Sequence, residues 1–468
     1  MTDTFLFHDY ETFGTSPAFD RPAQFAAIRT DSDLNPIGEP IVLYSQIAND
    51  YVPDPQACLI TAITPQITAQ KGICEDQFIA QINAHFSQPQ TCGVGYNSIR
   101  FDDEVTRYTL YRNFYDPYSR EWQNGNSRWD LIDVTRAFYA LRPQGINWPT
   151  DEQGLPSFRL EKLTAANGVS HENAHDALSD VEATIALAKL LKQAQPKLFD
   201  FALSLRDKRR VATFMDFVNH KPLVHVSGMF GAKQGCVSWV LPLAWHPINK
   251  NAVIAIDLNK DVSPLLTLSA EEIKERLYTP KADLTDEQLP IPVKLIHINK
   301  CPFVAPAGAL SAARADELGL DRKQCRVSLE QLKNAQQVRD KLVEIFSQER
   351  SFDNDQDVDG ALYSGFIGKG DKALMEMLHS SDPAAISKEA FVFEDKRLNQ
   401  LLLRYKARNY PYALTDAEQQ QWMAYRQNAL PPQIEKRLLD IETLAQVHQH
   451  EPTKLNILKA VYHYIENL

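Results

Sequence analysis

The sequence lacks several features that would assign it to a special class of protein. Its six cysteines form no C-x-x-C pair, so a zinc site or a disulfide framework is not expected, and a reducing cytoplasm fits. No uninterrupted apolar stretch reaches about 20 residues, so no membrane-spanning helix is predicted. The first residues carry no basic region followed by a long apolar run, so no signal peptide is expected.

Basic residues are also in the minority. The 49 Lys and Arg stand against 60 Asp and Glu, which gives a net charge of −11. This balance argues against a general coat of positive charge for binding nucleic acid, although it is compatible with a local basic groove. The length of 468 residues and the hydrophobic content of 44% are typical of a globular chain with roughly three domains.

The pattern of apolar and polar residues changes twice along the chain. Over 4–195, short apolar strands alternate with amphipathic helices, a pattern typical of an α/β domain. Pro196 ends this pattern, and short strands separated by Gly, Pro and Asn occupy 222–260. The acidic, glycine-bearing stretch 354–370 is interpreted as a linker or loop. Helical periodicity then extends over 372–468.

A pair of carboxylates, Asp9 and Glu11, ends the first predicted strand. Residues two apart on a strand project from the same face, and neighbouring carboxylates repel and raise each other's pKa. A divalent cation that prefers hard oxygen ligands, such as Mg²⁺ or Mn²⁺, removes this conflict. Taken alone, a D-x-E pair is more often a solvated strand end, so a metal site requires further carboxylates.

Two later motifs supply such carboxylates. In the segment around residue 100, Asp102 and Asp103 are adjacent, and Asp102 is the favoured ligand of the two. His175 and Asp180 stand five residues apart in the third motif. Residues five apart on a helix differ by about 140° around its axis. They therefore converge only if His175 lies in the loop before the helix and Asp180 in its first turns. A lone histidine near a helix start is otherwise most often a cap or an exposed residue.

The order of these motifs resembles that of the DEDDh family of 3′→5′ exonucleases. Five longer segments are similar to bacterial exonuclease I: FLFHDYETFG, GYNSIRFDDE, SRWDLIDV, NAHDALSDVEAT and LVHVSGMF. The resemblance covers the whole chain. It implies an α/β ribonuclease-H-like exonuclease domain over 1–196, an SH3-like β-barrel domain over 197–350 and an α-helical C-terminal domain over 351–468. It also implies degradation of single-stranded DNA from the 3′ end to 5′-mononucleotides, in DNA repair and recombination.

The same resemblance implies a role for each acidic residue. Asp9 would bridge two metal ions, Glu11 and Asp180 would complete one site, and Asp102 would hold the other ion. The expected ions are two Mg²⁺, for which Mn²⁺ would substitute. His175 would deprotonate the attacking water, a task that suits a pKa near neutrality.

Basic and aromatic residues interleave over 107–136, as in proteins that hold single strands by backbone charge and base stacking. Some of these rings must belong to the core. The predicted strand contacts are Arg107, Tyr118, Trp122 and Arg136, and the family pattern adds Arg159 and Glu11 beside the terminal nucleotide. Two further basic stretches, 206–210 and 396–408, are either solvated helix faces or parts of a channel that tracks phosphates.

The resemblance also implies a protein partner. The family binds the acidic, apolar C-terminal tail of single-stranded-DNA-binding protein, which requires a basic pocket with an apolar floor. Arg142, Phe201 and Lys221 match the positions of that pocket. No heptad pattern supports an oligomeric scaffold, so a monomer is expected, and no membrane partner is expected.

Two other functions remain open at this point. One is a DEDDh exonuclease that acts on RNA or proofreads for a polymerase, although such enzymes need much less chain. The other is a non-catalytic clamp that binds a single strand. The complete set of carboxylates together with His175 argues against the clamp.

Overall fold

The structure is a computed structural model. It describes residues 3–169, 176–285, 288–348 and 357–468. The chain forms two compact units, each built from separated segments. The first unit takes in 1–127, 171–182 and 352–468, and the second takes in 128–170 and 183–351. Among the described helices, none combines the length and the hydrophobicity needed to cross a bilayer.

Strands and helices alternate along the described chain. The strands are β1 (Thr4–Thr12), β2 (Pro22–Thr30), β3 (Ile41–Tyr44), β4 (Thr91–Gly95), β5 (Ser127–Asp130), β6 (Leu223–Val226), β7 (Val237–Trp245), β8 (Ala252–Asp257), β9 (Val293–His297) and β10 (Phe303–Pro306). The helices are α1 (Pro55–Thr61), α2 (Pro65–Lys71), α3 (Glu75–Phe86), α4 (Asp102–Arg112), α5 (Leu131–Leu141), α6 (Leu160–Ala166), α7 (Ala177–Ala194), α8 (Pro196–Ser204), α9 (Lys208–Ala212), α10 (Ser263–Thr267), α11 (Ala270–Tyr278), α12 (Ala312–Glu317), α13 (Arg322–Lys333), α14 (Gln336–Ser347), α15 (Lys369–His379), α16 (Lys396–Asn409), α17 (Asp416–Val447) and α18 (Pro452–Glu466).

The first unit is built on a mixed sheet in which β1 is central. Strand β1 pairs antiparallel with β2 and parallel with β4. The strand order is β3-β2-β1-β4 with β5 next, and the chain passes into the second unit within β5. Phe5, Leu6 and Phe7 are all buried, as expected for a strand with protein on both of its faces.

Helix α3 supplies much of the apolar core beside this sheet. Its residues Phe78, Ile79, Ile82 and Phe86 recur at helical spacing and pack with Phe25 of β2. The same spacing in the sequence predicts a helix over 76–86, and α3 confirms it. Helices α15 to α18 belong to the same unit and confirm the helical pattern predicted after residue 372.

The acidic stretch 354–370 is not a free linker where the structure describes it. Residues 358–362 are buried in a 3₁₀ turn. The Asp359 carboxylate lies 2.6 Å from Arg408, 3.0 Å from Arg404 and 3.4 Å from Arg21. Burial alone would raise the pKa of Asp359, but these guanidinium groups hold it well below its usual range. The linker interpretation is wrong here because the sequence pattern does not reveal these distant partners.

The second unit contains a separate antiparallel sheet of order β10-β6-β7-β8-β9. Leu241, Ile254 and Ile256 on its strands pack against Val338 and Leu342 of α14. These short strands confirm the antiparallel pattern predicted over 222–260. The sheet and the helices that cover it thus have their own apolar core.

Candidate active site

Strand β1 brings two carboxylates to one face of its sheet. Successive side chains on a strand point to opposite faces. Tyr10 therefore enters the apolar core, where its ring lies 4.8 Å from that of Phe25, and Asp9 and Glu11 share the other face. Glu11 stands opposite Gln24 of β2 in the pairing register.

A tight turn after β4 determines where α4 begins, and α4 carries the third carboxylate of the site. Asn97 adopts a left-handed conformation with a φ of 64°, which asparagine tolerates better than most residues. A Cβ at Gly95 would lie 2.4 Å from that of Ser98, so only glycine fits there. Helix α4 begins after this turn at Asp102, whose Oδ1 accepts a hydrogen bond from the Tyr10 backbone N–H at 3.1 Å. The turn thus attaches Asp102 to β1 between the two carboxylates.

The neighbouring Asp103 has a different partner. Its Oδ1 accepts a hydrogen bond from Arg120 at 2.7 Å, and both side chains are buried. Of the two aspartates, the structure therefore places Asp102 beside the carboxylate cluster and Asp103 in an internal ion pair.

The fourth carboxylate comes from α7, because Asp180 lies in its first turn. Gln24 fixes this end of the helix. Its Nε2 donates to Asp176 Oδ1 at 3.1 Å, and its Oε1 accepts from the Ala177 backbone N–H at 3.3 Å. The sequence analysis missed Gln24, since its role depends on standing opposite Glu11, a pairing that a single sequence does not reveal.

The resulting cluster has the chemistry of a divalent-metal site. One carboxylate oxygen each from Asp9, Glu11 and Asp180 lie within 4.8 Å of one another. Burial, followed by the charges of Asp102, Glu11 and Asp180, raises the pKa of Asp9 well above its ordinary value. Burial and the neighbouring carboxylates, Asp180 first, raise the pKa of Glu11 to about 9. A cation would neutralise this repulsion, and hard oxygen donors suit Mg²⁺ or Mn²⁺. The residues therefore fit the predicted metal.

The predicted general base, His175, lies outside the described residues.

The predicted strand contacts of the first unit have unequal exposure. Trp122 is 63% exposed, whereas Tyr118 lies partly buried with the Arg107 guanidinium 5.3 Å from its ring centre.

Arg107 itself is committed to protein partners. It is 6% exposed, donates two hydrogen bonds of 2.8 Å to Glu121 and donates one of 2.8 Å to Glu104. Arg107 is therefore paired inside the fold, and its contact with the DNA strand stays a prediction.

Two predicted strand contacts belong to the second unit. Arg136 is partly buried, donates to Asp133 at 2.7 Å and lies 5.8 Å from the ring centre of Phe158. Arg159 is exposed and immediately precedes α6. Its guanidinium is therefore accessible in that unit.

The residues predicted for the partner pocket lie in the same unit. Arg142 and Lys221 are exposed, and Lys221 pairs with Asp216 at 3.2 Å. The Phe201 ring meets those of Phe214 and Phe303 edge-on at 6.0 and 5.9 Å. Phe201 thus belongs to an aromatic cluster.

The basic stretch 396–408 is mostly turned inward. Lys406 is buried and donates to Glu418 at 2.9 Å. Arg408 pairs with Asp50 at 2.7 Å as well as with Asp359. These two side chains have no free charge for tracking phosphates, so the channel interpretation is wrong for them.

Comparison with known proteins gives the family of the chain. Family models described as "Exonuclease", "Exonuclease I SH3-like domain" and "Exonuclease I C-terminal domain" match residues 6–188, 206–348 and 356–468. Exodeoxyribonuclease I of Escherichia coli (strain K12) is 53% identical over 466 residues, which cover 99% of this chain and 98% of that protein. The chain belongs to the exonuclease I family. Another member, exodeoxyribonuclease I of Haemophilus influenzae, is 50% identical and spans 98% of each chain.

Solved structures of exonuclease I have the same fold. E. coli exonuclease I in complex with a dA16 oligonucleotide is 52% identical, with a TM-score of 0.97 and full coverage of both chains. A zinc-bound form of the E. coli ExoI–ssDNA complex has a TM-score of 0.95 and covers 100% of this chain and 99% of that one. The predicted fold class, with ribonuclease-H-like, SH3-like and helical C-terminal parts, is confirmed. The chain is a nuclease of a metal-dependent exonuclease family.

Proposed function

We propose that this exonuclease I family member removes nucleotides from the 3′ end of single-stranded DNA and releases 5′-mononucleotides. The observation that carries the proposal is the cluster of carboxylate oxygens from Asp9, Glu11 and Asp180, with Asp102 hydrogen-bonded to the strand between the first two. Solved E. coli relatives hold single-stranded oligonucleotides. A role in DNA repair and recombination is part of the proposal.

The proposed metal is a pair of Mg²⁺ ions, with Mn²⁺ as a substitute. Asp9 would contact both ions, Glu11 and Asp180 would hold one, and Asp102 would hold the other. Such ions supply Lewis-acid stabilisation of phosphodiester charge and a nucleophilic water. The zinc-bound form of the E. coli relative supports divalent-metal binding by this family.

The chain's own groups hold and orient the substrate and move the proton. The Tyr10 backbone N–H donates to one oxygen of Asp102 and so orients this carboxylate beside the cluster. His175 is proposed to accept the proton of the attacking water, on the strength of the H-x-A-x-x-D motif. The proposed DNA contacts are Glu11, Arg159, Arg107, Tyr118, Trp122 and Arg136.

Three domains, over 1–196, 197–350 and 351–468, remain the proposed organisation. The ranges matched by the family models support both junctions.

We further propose a monomer that binds the C-terminal tail of single-stranded-DNA-binding protein through Arg142, Phe201 and Lys221. The tail peptide is titrated into wild type and into Lys221→Ala. Equal affinity of the two proteins for the peptide would contradict this binding pocket. The six free cysteines support a reducing, cytoplasmic setting.

A nuclease assay tests the central proposal. The protein is incubated with 5′-labelled single-stranded DNA, duplex DNA or RNA, with Mg²⁺ or with chelator. We expect Mg²⁺-dependent shortening of single-stranded DNA and little attack on the other two. Asp9→Ala and Asp180→Ala should lower turnover at least about a thousandfold while the fold survives.

The exposed Asp340 of α14 provides a matched control, because Asp340→Ala removes a carboxylate outside the cluster. Its turnover should equal that of wild type. A preference for RNA would instead favour the RNA-directed alternative, and binding without cleavage would favour the clamp. Wild-type turnover in folded Asp9→Ala would contradict the assignment of the site.

A further inference from the structure

The strand beside β1 carries a buried amide on the same face as the carboxylate cluster. Gln24 of β2 stands directly opposite Glu11 in the antiparallel pairing, and the side chains of such a pair project from one face of the sheet. Gln24 is 2% exposed. A buried amide whose donors and acceptor lack partners is costly, so the partners of Gln24 show what this side chain does.

Two of these partners are consecutive residues at the start of α7. The Gln24 Nε2 donates to the Tyr44 hydroxyl and to Asp176 Oδ1, both at 3.1 Å. The Oε1 accepts from the Ala177 backbone N–H at 3.3 Å. One of the two helix residues thus needs a donor and the other an acceptor. An amide supplies both, whereas a carboxylate supplies only acceptors and an aliphatic side chain supplies neither.

Asp176 is the cap of α7. Its Oδ2 accepts from the Ser179 backbone N–H at 3.3 Å, and its carbonyl accepts from the Asp180 backbone N–H at 3.1 Å, which is the pattern of an N-cap residue. The charge of Asp176 is also one of those that raise the pKa of Glu11, so the cap lies near the cluster. Gln24 therefore attaches the cap of α7 to β2 beside the carboxylates.

The position of this cap determines the position of Asp180. The four residues from Asp176 to Asp180 span about 6 Å along a helix, so a displacement of the cap moves the Asp180 carboxylate relative to Asp9 and Glu11 on β1. The three carboxylate oxygens lie within 4.8 Å of one another. Mg²⁺ requires oxygen ligands close to about 2.0–2.1 Å in near-octahedral geometry, so a small displacement of Asp180 is enough to weaken binding.

We propose that Gln24 is a positioning residue of the metal site. It holds the first turn of α7 on β2 and so places Asp180 for the ion that this carboxylate would share with Glu11. Gln24 acts through the helix rather than by contact with the metal or the DNA. The inference deepens the proposed function and rests on it.

The first test measures metal binding without DNA and without turnover. Mn²⁺ is titrated into the metal-free protein and followed by calorimetry. Gln24→Leu keeps the approximate size of the side chain and removes its hydrogen bonds. It should raise the Kd for Mn²⁺ about 10- to 100-fold, the range typical of residues that orient metal ligands. Gln46→Leu is the matched control, because the Gln46 amide is exposed and donates to the Ala69 carbonyl at 3.2 Å. Its Kd should equal that of wild type.

A second variant breaks the same attachment from the side of the helix. Asp176→Ala removes the cap that Gln24 holds, and it should also weaken Mn²⁺ binding. The Kd of the double variant should be close to that of the weaker-binding single variant, since both substitutions break one attachment. Effects that multiply fully would overturn the inference, because the two residues would then act independently.

Hydrogen exchange in chelator reads the attachment in the metal-free protein. In Gln24→Leu the Ala177 N–H loses its acceptor, so the amides of 176–182 should exchange faster than in wild type. Helix α3 of the same unit should exchange as in wild type. An equal increase in α3 would overturn the inference, because it would show a general loss of stability.

Kinetics distinguish a displaced ligand from a missing one. On labelled single-stranded DNA, Gln24→Leu should lower kcat without changing the KM for DNA. A higher Mg²⁺ concentration should restore much of this kcat, because Asp180 is still present, but it should not restore Asp180→Ala. Wild-type affinity of Gln24→Leu for Mn²⁺ would overturn the inference. The proposed function fails separately, if wild type with Mg²⁺ does not shorten single-stranded DNA.

Discussion

Asp102 and Asp103 show how two identical neighbours take different roles. Successive side chains of a helix differ by about 100° in direction around its axis. Asp102 and Asp103, which are neighbours on α4, therefore face different surroundings. Asp102 faces β1 and adds its charge to the cluster around Asp9. Asp103 faces Arg120 instead, in a pair whose side chains are 2% and 1% exposed. One aspartate therefore lies beside the proposed metal site, and the other belongs to an ion pair inside the fold.

Exchanging each carboxylate for an amide should separate these roles. Asp102→Asn should lower kcat at least about a hundredfold and leave the stability of the metal-free protein unchanged or higher, because one repulsive charge is removed. Asp103→Asn should lower the free energy of unfolding by about 3 kcal/mol, since it leaves a buried guanidinium without its counter-charge. Urea unfolding and steady-state kinetics on both variants measure the difference. The reverse pattern would make Asp103 the ligand.

At the scale of an element, the 3₁₀ turn at 358–364 depends on charge as well as on apolar packing. Its residue Asp359 receives hydrogen bonds from Arg21, Arg404 and Arg408. Tyr111 of α4 also donates to the Val358 carbonyl at 3.2 Å. A short turn that would be a mobile connection in isolation is thus held by residues from three parts of the first unit.

Removal of the charge on Asp359 should therefore destabilise the unit strongly. Asp359→Asn leaves buried arginines with fewer counter-charges, and we expect a loss of about 3–5 kcal/mol in the free energy of unfolding. Asp357→Asn is the matched control, because among the described residues the ion-pair partner of Asp357 is Arg404 and the Asp357 side chain is 45% exposed. Its loss should stay below about 1 kcal/mol. Equal urea midpoints for the two variants would contradict this account of the turn.

In the whole molecule, the acidic residues behind the net charge of −11 lie in very different surroundings. Some carboxylates, like Asp359, have their charge balanced by buried arginines. Asp9 and Glu11 lie close to other carboxylates, and burial together with these charges raises the pKa of both. The folded molecule should therefore respond to divalent cations, and in part to pH, through this cluster.

The cluster predicts a specific dependence of stability on pH. In chelator, folded Glu11 keeps its proton up to a pKa of about 9, whereas it ionises near 4.5 in the unfolded chain. The folded state binds more protons within this window, so stability falls as pH rises through it. Between pH 7 and 9, the Tm of wild type should thus fall more than that of Glu11→Gln. Thermal scans with chelator measure the difference.

Mg²⁺ or Mn²⁺ should reduce this fall, because the metal binds the deprotonated carboxylates and its affinity rises with pH. Asp9→Asn should show little metal-induced rise in Tm. A wild-type Tm with the same pH dependence in chelator and in metal would contradict the proposed site.

Local sequence patterns were enough to predict the order of the elements and to identify the acidic motifs. Strand alternation placed Asp9 and Glu11 on one face, and helical spacing identified α3. The family resemblance added the fold class, which the comparisons confirm. These signals are local, since each depends on residues within about one element of one another.

Which charged side chains are paired inside the fold depends instead on tertiary contacts. In the sequence, Arg107 and Arg408 cannot be told apart from arginines that bind phosphate. In the fold, each is paired with acidic residues, and those of Arg408 are far away along the chain. The choice between Asp102 and Asp103, and the role of Gln24, likewise depended on which strand or helix each side chain faces. Arg408 and Asp50 stand 358 positions apart, and Coulomb energy depends on distance in space rather than along the chain.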